Sequence, residues 1–201
     1  KVEISLLAVL FIFFVFCFYL RLKCLDSLVI NDWVTRDFDR AFNILDKVYF
    51  PLAGPDLTNG GRLPGPFLYL MLVVPLFFHY SYEALFNFNF ILNIASIGMT
   101  FIILKKYFNI QIAIISASLL CVDLYHLGAV NFPINPSFLF PFTVLFLWSL
   151  LEFSVKKNCN AFVMIILILC LGVQIHYQFA SYIVVLLFLS FIFKIRIPQK
   201  T

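Results

Sequence analysis

The amino-acid sequence predicts an all-α integral membrane protein with several membrane-spanning helices. Hydrophobic residues make up 63% of the 201 positions and charged residues only 12%. An average soluble domain carries about twice that share of charge. The mean hydropathy of +1.02 agrees with this class. The net charge of +4 is spread along the chain without a long basic run, so the sequence excludes a nucleic-acid-binding surface.

Apolar runs of about 20 residues, the length of helix that crosses a bilayer, recur along the chain. The first span is expected at about residues 4–22. Later spans are expected at about 83–104, 110–129, 137–155, 160–176 and 179–194. Because the sequence begins at Lys1 without Met and stops just past an apolar run, we interpret residues 1–201 as the amino-terminal part of one transmembrane domain of a longer protein.

Basic residues predict which span ends face the cytoplasm. They follow three of the later spans, at Lys105, Lys106, Lys156, Lys157, Lys194, Arg196 and Lys200. Residues 67–79 decide the arrangement, because this apolar segment is short for a span and contains Pro75. Its length and Pro75 favour an interfacial or re-entrant segment, which leaves the preceding loop outside. If the segment crosses instead, the loop is cytoplasmic.

That loop, residues 24–66, is the polar centre of the chain. Together with its edges it holds six of the ten acidic residues. Its first half, residues 33–45, has apolar residues at helical spacing with charged residues between them, which predicts an amphipathic helix along the membrane surface. Its second half is dense in Gly and Pro and cannot continue a helix, so it predicts a shaped loop.

The charged residues of this loop suggest chemistry. Asp37 is flanked by Arg36 and Arg40, and a carboxylate held among guanidinium groups stays ionised and can act as a general base. Arg36, Arg40 and Arg62 can bind a phosphate group through paired hydrogen bonds. The alternatives are a solvated aspartate and arginines that form ion pairs within the loop or contact lipid headgroups.

Polar residues also gather at the outer ends of later spans. Asn135 lies in one outer connection, and His176 and Tyr177 lie in the next. Asp123 and His126 stand three residues apart and can form a structural pair. Polar groups are costly in a membrane and usually line a cavity or pathway, so their position on one side predicts a site there.

Four stretches, in this order, resemble a known family. They are WVTRDFDRAFNIL; PLAGP with NGGRLPGPFLYL; FPINPSFLFP; and GVQIHYQFASY. They look like the amino-terminal half of bacterial GT-C glycosyltransferases, the polytopic enzymes related to protein O-mannosyltransferases and lipid A aminoarabinose transferases. The resemblance covers nearly the whole chain.

The resemblance implies a GT-C-type multi-span helical bundle whose first outer loop contains interfacial helices and an essential acid. Such enzymes pass a sugar from a polyprenyl-phosphate donor to a lipid, glycan or protein acceptor, here on the periplasmic or exterior face of a bacterial inner membrane. Neither a metal nor another cofactor is expected, because the lipid phosphate is already a good leaving group. Besides donor and acceptor, the expected partners are membrane lipids and no nucleic acid.

The resemblance also assigns residues. The family commonly has an acid three residues before the loop arginine, where this chain has Trp33, so Asp37 is the first choice for the catalytic acid and Asp32 the second. His176 and Tyr177 match a His-Tyr pair of the family. Asn135 matches an Asn-Pro pair, although the Arg and Trp that often precede that pair are absent here.

Two other functions fit the same sequence. A lipid-linked substrate flippase or transporter would share the polytopic architecture, but such proteins usually place polar groups near the middle of the membrane and break their helices there. A non-catalytic scaffold would leave the acidic loop without a task.

Overall fold

The computed structural model describes residues 2–58 and 60–193, and these residues form a helical protein with one small β-hairpin. Expected features that involve residues 194–201, including Lys194, Arg196 and Lys200, lie outside the described residues. The helices are α1 Val2–Leu25, α2 Asp32–Leu45, α3 Phe67–Leu76, α4 Tyr82–Tyr107, α5 Ile110–Val122, α6 Leu124–Asn131, α7 Phe140–Lys156, α8 Cys159–Ile175 and α9 Ser181–Phe193. Short 3-10 turns at Asn135–Leu139 and Tyr177–Ala180 precede α7 and α9, and the hairpin pairs β1 Ala53–Asp56 with β2 Arg62–Pro64.

Two helices of the described chain are long and apolar enough to cross a membrane. They are α4, and α7 together with the turn before it. A third span results if α5 and α6 are counted together, but these two helices meet at an angle of 51°. The span expected at about residues 110–129 is therefore interrupted at Asp123, where the chain bends.

Asp123 ends one helix and begins the next. Its backbone is extended, and its N–H still donates to the Leu119 carbonyl at the end of α5. Its side chain accepts the backbone N–H of His126 at 2.7 Å, which caps the first turn of α6. The expected pairing of Asp123 with His126 thus runs through the His126 backbone, which leaves the imidazole free for another partner.

That partner is Arg21, which lies near the end of α1 and is fully buried. Its guanidinium donates to the Leu120 and Cys121 carbonyls at 2.9 Å each, to Asn93 Oδ1 at 2.7 Å and to the Cys17 carbonyl at 3.3 Å, and lies 3.2 Å from His126 Nδ1. All five N–H groups of the guanidinium are thereby engaged. Arg21 therefore ties α1 and α4 to the carbonyls freed at the break between α5 and α6.

Helix α2 is amphipathic as its sequence pattern predicts, but its apolar face is turned into the protein. Val34, Phe38 and Ala41 are buried in a core shared with α3 and α4. The Phe38 and Phe86 rings pack edge to face with their centroids 5.6 Å apart. Other helices cover this apolar face, so it packs on protein, and the position of α2 along the membrane surface stays a prediction.

Helix α3 occupies the segment expected to be interfacial. Its ten residues extend about 15 Å, half the thickness of the hydrocarbon core. Leu68, Leu72 and Leu76 are buried against the same core, whereas Phe77 and Phe78 just beyond the helix are exposed. The helix thus fixes α2 and the hairpin to the bundle.

The two ends of the bundle differ in their polar groups. At one end α2, the hairpin and the turns before α7 and α9 come together, and Asn135 Nδ2 donates to the Ile175 carbonyl at 3.3 Å. At the other end α4 and α7 finish side by side, where Lys106 Nζ lies 2.8 Å from Glu152 Oε1. The first end carries the residues singled out by the sequence.

Candidate functional site

One wall of the site is the exposed side of α2. The helix begins where it does because Asn31 Oδ1 accepts the backbone N–H groups of Trp33 and Val34 at 3.1 Å each. Arg36 and Arg40 are four residues apart, so they extend from the same side of the helix. The Arg36 guanidinium lies over the Trp33 ring, 4.8 Å from its centroid, which holds both side chains beside each other.

The hairpin brings a carboxylate to these arginines. Gly60 and Gly61 have φ angles of +88° and +83°, which let the chain turn between the strands. Asp56 stands opposite Arg62 in the antiparallel register. Its Oδ1 accepts from Arg62 Nε at 2.7 Å and its Oδ2 from Arg40 Nη2 at 2.8 Å, while its backbone carbonyl accepts from Arg36 Nη1 at 3.3 Å. All three predicted arginines therefore converge on Asp56.

Asp37 lies behind Arg36. It is only 4% exposed, and its two oxygens accept from Arg36 Nε at 2.8 Å and from Arg36 Nη2 at 2.9 Å. The Tyr69 hydroxyl lies 3.5 Å from the first of these oxygens and itself accepts from Arg40 Nη1 at 2.6 Å. Asp37 thus orients Arg36 from the protein side.

Asp37 and Asp56 differ in the direction of their pKa shifts. Burial raises the pKa of Asp37 above its usual value, and this outweighs the opposing hydrogen bond and charge of Arg36. Partial burial also opposes the ionisation of Asp56, but there the hydrogen bonds and charges of Arg40 and Arg62 outweigh it and lower the pKa. Asp56 is consequently the carboxylate that stays ionised beside an open surface.

The opposite wall comes from two connections far along the chain. Asn135 begins the turn before α7 and is held by its hydrogen bond to the end of α8. His176 follows α8 directly, and its Nδ1 accepts the backbone N–H of Gln178 at 3.3 Å. A neutral His176 therefore carries its proton on Nε2, where it serves as a hydrogen-bond donor. The Tyr177 ring packs on the His176 ring with centroids 4.5 Å apart.

An open pocket of about 370 Å³ separates the two walls. Four predicted site residues line it: Arg36, Asn135, His176 and Tyr177. The remaining lining residues are Asn31, Trp33, Asp56, Leu57, Thr58, Phe132, Ile134 and Pro136. The pocket thus joins charged groups, hydrogen-bonding groups and aromatic rings from four separate parts of the chain.

The other predicted residues occupy different places. Arg40 and Arg62 do not line the pocket but hold Asp56, which does. Asp37 stands behind Arg36, away from the pocket surface. Asp32 is exposed on the first turn of α2 and is not part of the lining.

Asp56 and Trp33 are two of the lining residues that the sequence did not predict as site residues. The sequence carried a signal for Asp56, because an acid six residues before Arg62 across a Gly-Gly turn is the spacing of a cross-strand ion pair in a hairpin. Trp33 occupies a position where the resembling family commonly has an acid. Its side chain is 43% exposed and offers an aromatic face to the pocket.

The ion-pair cluster at the pocket wall made by α2 and the hairpin contains more guanidinium groups than carboxylates. Arg36, Arg40 and Arg62 pair with only two carboxylates, those of Asp37 and Asp56. Such a surface favours an anionic group that accepts several hydrogen bonds, and a phosphate has this character. Within residues 2–58 and 60–193, no group of three or more His, Cys, Asp or Glu side chains is placed to hold a metal ion.

Comparisons of the chain with protein-family models, curated proteins and solved structures find no match. The pocket and the sequence stretches around it are therefore the features that indicate a function.

Proposed function

We propose that this chain is part of a GT-C-type membrane glycosyltransferase that transfers a sugar from a polyprenyl-phosphate donor. One observation carries the proposal. Three of the four stretches that resemble the family are far apart in sequence, yet they line one pocket through Arg36, Asn135 and His176. The fourth stretch forms the hairpin strands on either side of Asp56, which also lines the pocket. If the resemblance had no functional basis, we would expect these residues to be scattered over the surface.

The lining suits a phosphate-linked sugar. Arg36 offers a guanidinium N–H to the donor phosphate, and its contacts with Asp37 and Trp33 hold it in place. The exposed faces of Trp33 and Tyr177 suit the apolar faces of a sugar ring. His176 Nε2, Asn135 and Asp56 supply hydrogen-bond donors and acceptors for its hydroxyl groups.

An aspartate of the outer loop acts as the base in this proposal. The sequence favours Asp37, with Asp32 second, whereas the geometry favours Asp56, because it is the acid that lines the pocket. We therefore assign Asp56 to the acceptor and Asp37 to the positioning of Arg36. The low pKa of Asp56 suits a late proton transfer, since a hydroxyl becomes strongly acidic as its oxygen bonds to the anomeric carbon.

The reaction balances without a cofactor. The acceptor oxygen forms a bond to the anomeric carbon while the bond from that carbon to the phosphate oxygen breaks. The electron pair leaves with the lipid phosphate, whose charge Arg36 offsets, and the acceptor proton passes to Asp56. The acceptor is a lipid, glycan or protein at the periplasmic or exterior face of a bacterial inner membrane.

The test follows sugar transfer from a labelled polyprenyl-phosphate donor by the full-length protein in membranes. Wild type is compared with Asp56→Asn, Asp37→Asn and Asp32→Asn, and Asp39→Asn serves as the matched control because Asp39 is an acid of the same helix outside the pocket. We expect the largest loss in Asp56→Asn and none in Asp39→Asn. Transfer that survives in all three test variants contradicts the proposal.

A lipid-linked substrate flippase or transporter is the second candidate, and one observation favours it. The bend of 51° between α5 and α6, with the buried Arg21 against it, resembles the broken helices on which transporters depend. A transporter would move the labelled donor between leaflets without transferring its sugar. Measuring the sugar's chemical linkage after the reaction separates the two functions.

A further inference from the structure

The end of the bundle away from the pocket carries a concentrated positive charge. Helices α4 and α7, the two candidate membrane spans, end there with four exposed lysines: Lys105, Lys106, Lys156 and Lys157. Glu152 lies among them and accepts from Lys106 Nζ at 2.8 Å and from Lys156 Nζ at 3.1 Å. One carboxylate offsets only one of these charges, so the cluster keeps most of its positive charge.

Aromatic rings hold two of the lysines in place. Lys106 Nζ and Lys156 Nζ lie 5.3 Å and 5.5 Å from the centre of the Tyr107 ring, on which both ammonium groups converge. Lys106 Nζ is also 5.9 Å from the Trp148 ring, and Trp148 Nε1 donates to Glu152 at 3.3 Å. The cluster is therefore an organised surface of ammonium groups over aromatic rings, rather than a set of separate lysines.

The position of the lysine cluster indicates which kind of molecule it binds. The ends of membrane-spanning helices lie at the level of the lipid headgroups, where Trp and Tyr are enriched. Exposed apolar side chains, Val155 and Ile102, lie one turn or less from the lysines on the same two helices. A ligand at this place would contact the lysines with its polar part and the exposed apolar side chains with its apolar part. A phospholipid has both parts, whereas a free phosphate ion has only the first.

We propose that the ends of α4 and α7 form a binding site for the phosphate headgroup of an anionic phospholipid. Lys106 and Lys156 contact the phosphate, Lys105 and Lys157 add to the attraction, and Trp148 packs beside the upper part of the acyl chains. Glu152 holds the two central lysines together and limits the affinity by competing for them. The site is independent of sugar transfer.

The test uses Trp148 as the reporter. The full-length protein is placed in nanodiscs that contain brominated phosphatidylglycerol or, at equal mole fraction, brominated phosphatidylcholine, and bromine quenches nearby tryptophans. The Trp148 contribution is the emission lost in Trp148→Phe. We expect stronger quenching by the anionic lipid, and a preference that falls about fivefold for each lysine removed in Lys106→Gln and Lys156→Gln.

Controls separate the possible outcomes. Lys23→Gln is the matched control, because Lys23 is an exposed lysine at the end of another helix that also pairs with an acid and lies over a tyrosine ring. We expect this change to leave the lipid preference of Trp148 quenching unaltered. Lys106→Arg with Lys156→Arg should retain the preference, and Glu152→Gln should strengthen it. Equal quenching by both lipids, or a preference that survives loss of both lysines, overturns the proposal. Relief of quenching by inorganic phosphate would show an ion site in place of a lipid site.

Discussion

The protein holds the arginines at the pocket end of the bundle in two contrasting ways. Arg21 is fully buried, and within the described part of the chain its hydrogen-bond partners are neutral: four oxygens and one imidazole nitrogen. Arg36 and Arg40 are partly exposed and pair with carboxylates beside an open pocket. The first arrangement uses every donor of the guanidinium, whereas the second leaves positive charge facing a cavity.

This difference separates a structural arginine from a binding arginine. The carbonyls at the end of α5 carry partial negative charge, so Arg21 stabilises the helix break without any ligand. The pocket arginines are held by carboxylates that do not balance them completely, and an anion can complete their pairing. Substitution of a buried, completely paired arginine should therefore mainly reduce folding stability. Substitution of a partly exposed, incompletely paired arginine should mainly reduce activity.

The largest expected effect comes from Arg21→Met. The change leaves Asn93, His126 and the two α5 carbonyls without their donor, and each buried acceptor left unsatisfied costs about 1–3 kcal/mol. We expect loss of folded protein, measured as the monodisperse fraction in detergent and its melting temperature. Arg21→Lys supplies three donors and should recover part of the loss. A Met variant as stable as wild type would contradict the structural role.

The second prediction concerns Asp56→Asn. Loss of the proposed base lowers transfer by about 10²–10⁴-fold, with little change in melting temperature because the Asp56 side chain is 38% exposed. The measurement is the initial rate of sugar transfer at saturating donor. A fall in melting temperature as large as that of Arg21→Met would place Asp56 with the structural groups.

Gly54→Ala tests how the hairpin forms a pocket wall. A Cβ at Gly54 would lie 2.8 Å from the Gly65 carbonyl oxygen and 3.3 Å from that of Gln174, and backbone atoms cannot move aside easily. We expect a loss of about 1–3 kcal/mol in the free energy of unfolding. Gly98→Ala is the matched control, because a Cβ there meets open space within a helix and should be neutral or stabilising. Equal effects would show that the hairpin does not pack closely on α8.

Asp37→Asn should have a smaller effect than Asp56→Asn. The amide still accepts one bond from Arg36, so a charged hydrogen bond becomes a neutral one, and transfer falls about tenfold. Because the donor phosphate is the ligand of Arg36, the loss should appear in the KM for the donor. A loss in kcat that exceeds that of Asp56→Asn would return the role of base to Asp37.

The smallest effect is the pH dependence of the hairpin anchor. The pKa of Asp56 is lowered in the folded protein, so its contribution is present above its usual pKa of about 4 and is lost as the pH falls through the lowered value. Proteolysis of the hairpin should therefore increase only in strongly acidic solution. Asp56→Asn should remove this acid dependence, and a wild-type hairpin equally resistant across the acid range would argue against the ion pairs.

Local patterns in the sequence were sufficient for the helical class and for α2. The class follows from long apolar runs, and α2 follows from the helical spacing of Phe38, Ala41, Phe42 and Leu45. Local sequence patterns do not predict which part of the protein or membrane covers the apolar face of α2. The covering side chains belong to α3 and α4, and an amphipathic face looks the same in sequence whether lipid or protein covers it.

Long-range contacts explain the remaining differences. The sequence does not indicate a role for Arg21, because its partners Leu120 and Cys121 lie about a hundred residues away. The break at Asp123 depends on that same contact. Asp56 is held by Arg40, which lies on the preceding helix α2, and a single sequence does not reveal which of the six loop acids pairs with that arginine.

The most direct test of the account is photochemical cross-linking of the donor to the pocket. A benzophenone amino acid replaces Trp33 in the pocket or, as a control, Phe78, which is 88% exposed outside it. The full-length protein is then irradiated with a labelled polyprenyl-phosphate sugar. The account predicts labelling at position 33 that excess unlabelled donor abolishes, and little at position 78. Equal labelling at both positions, or none at position 33, would contradict it.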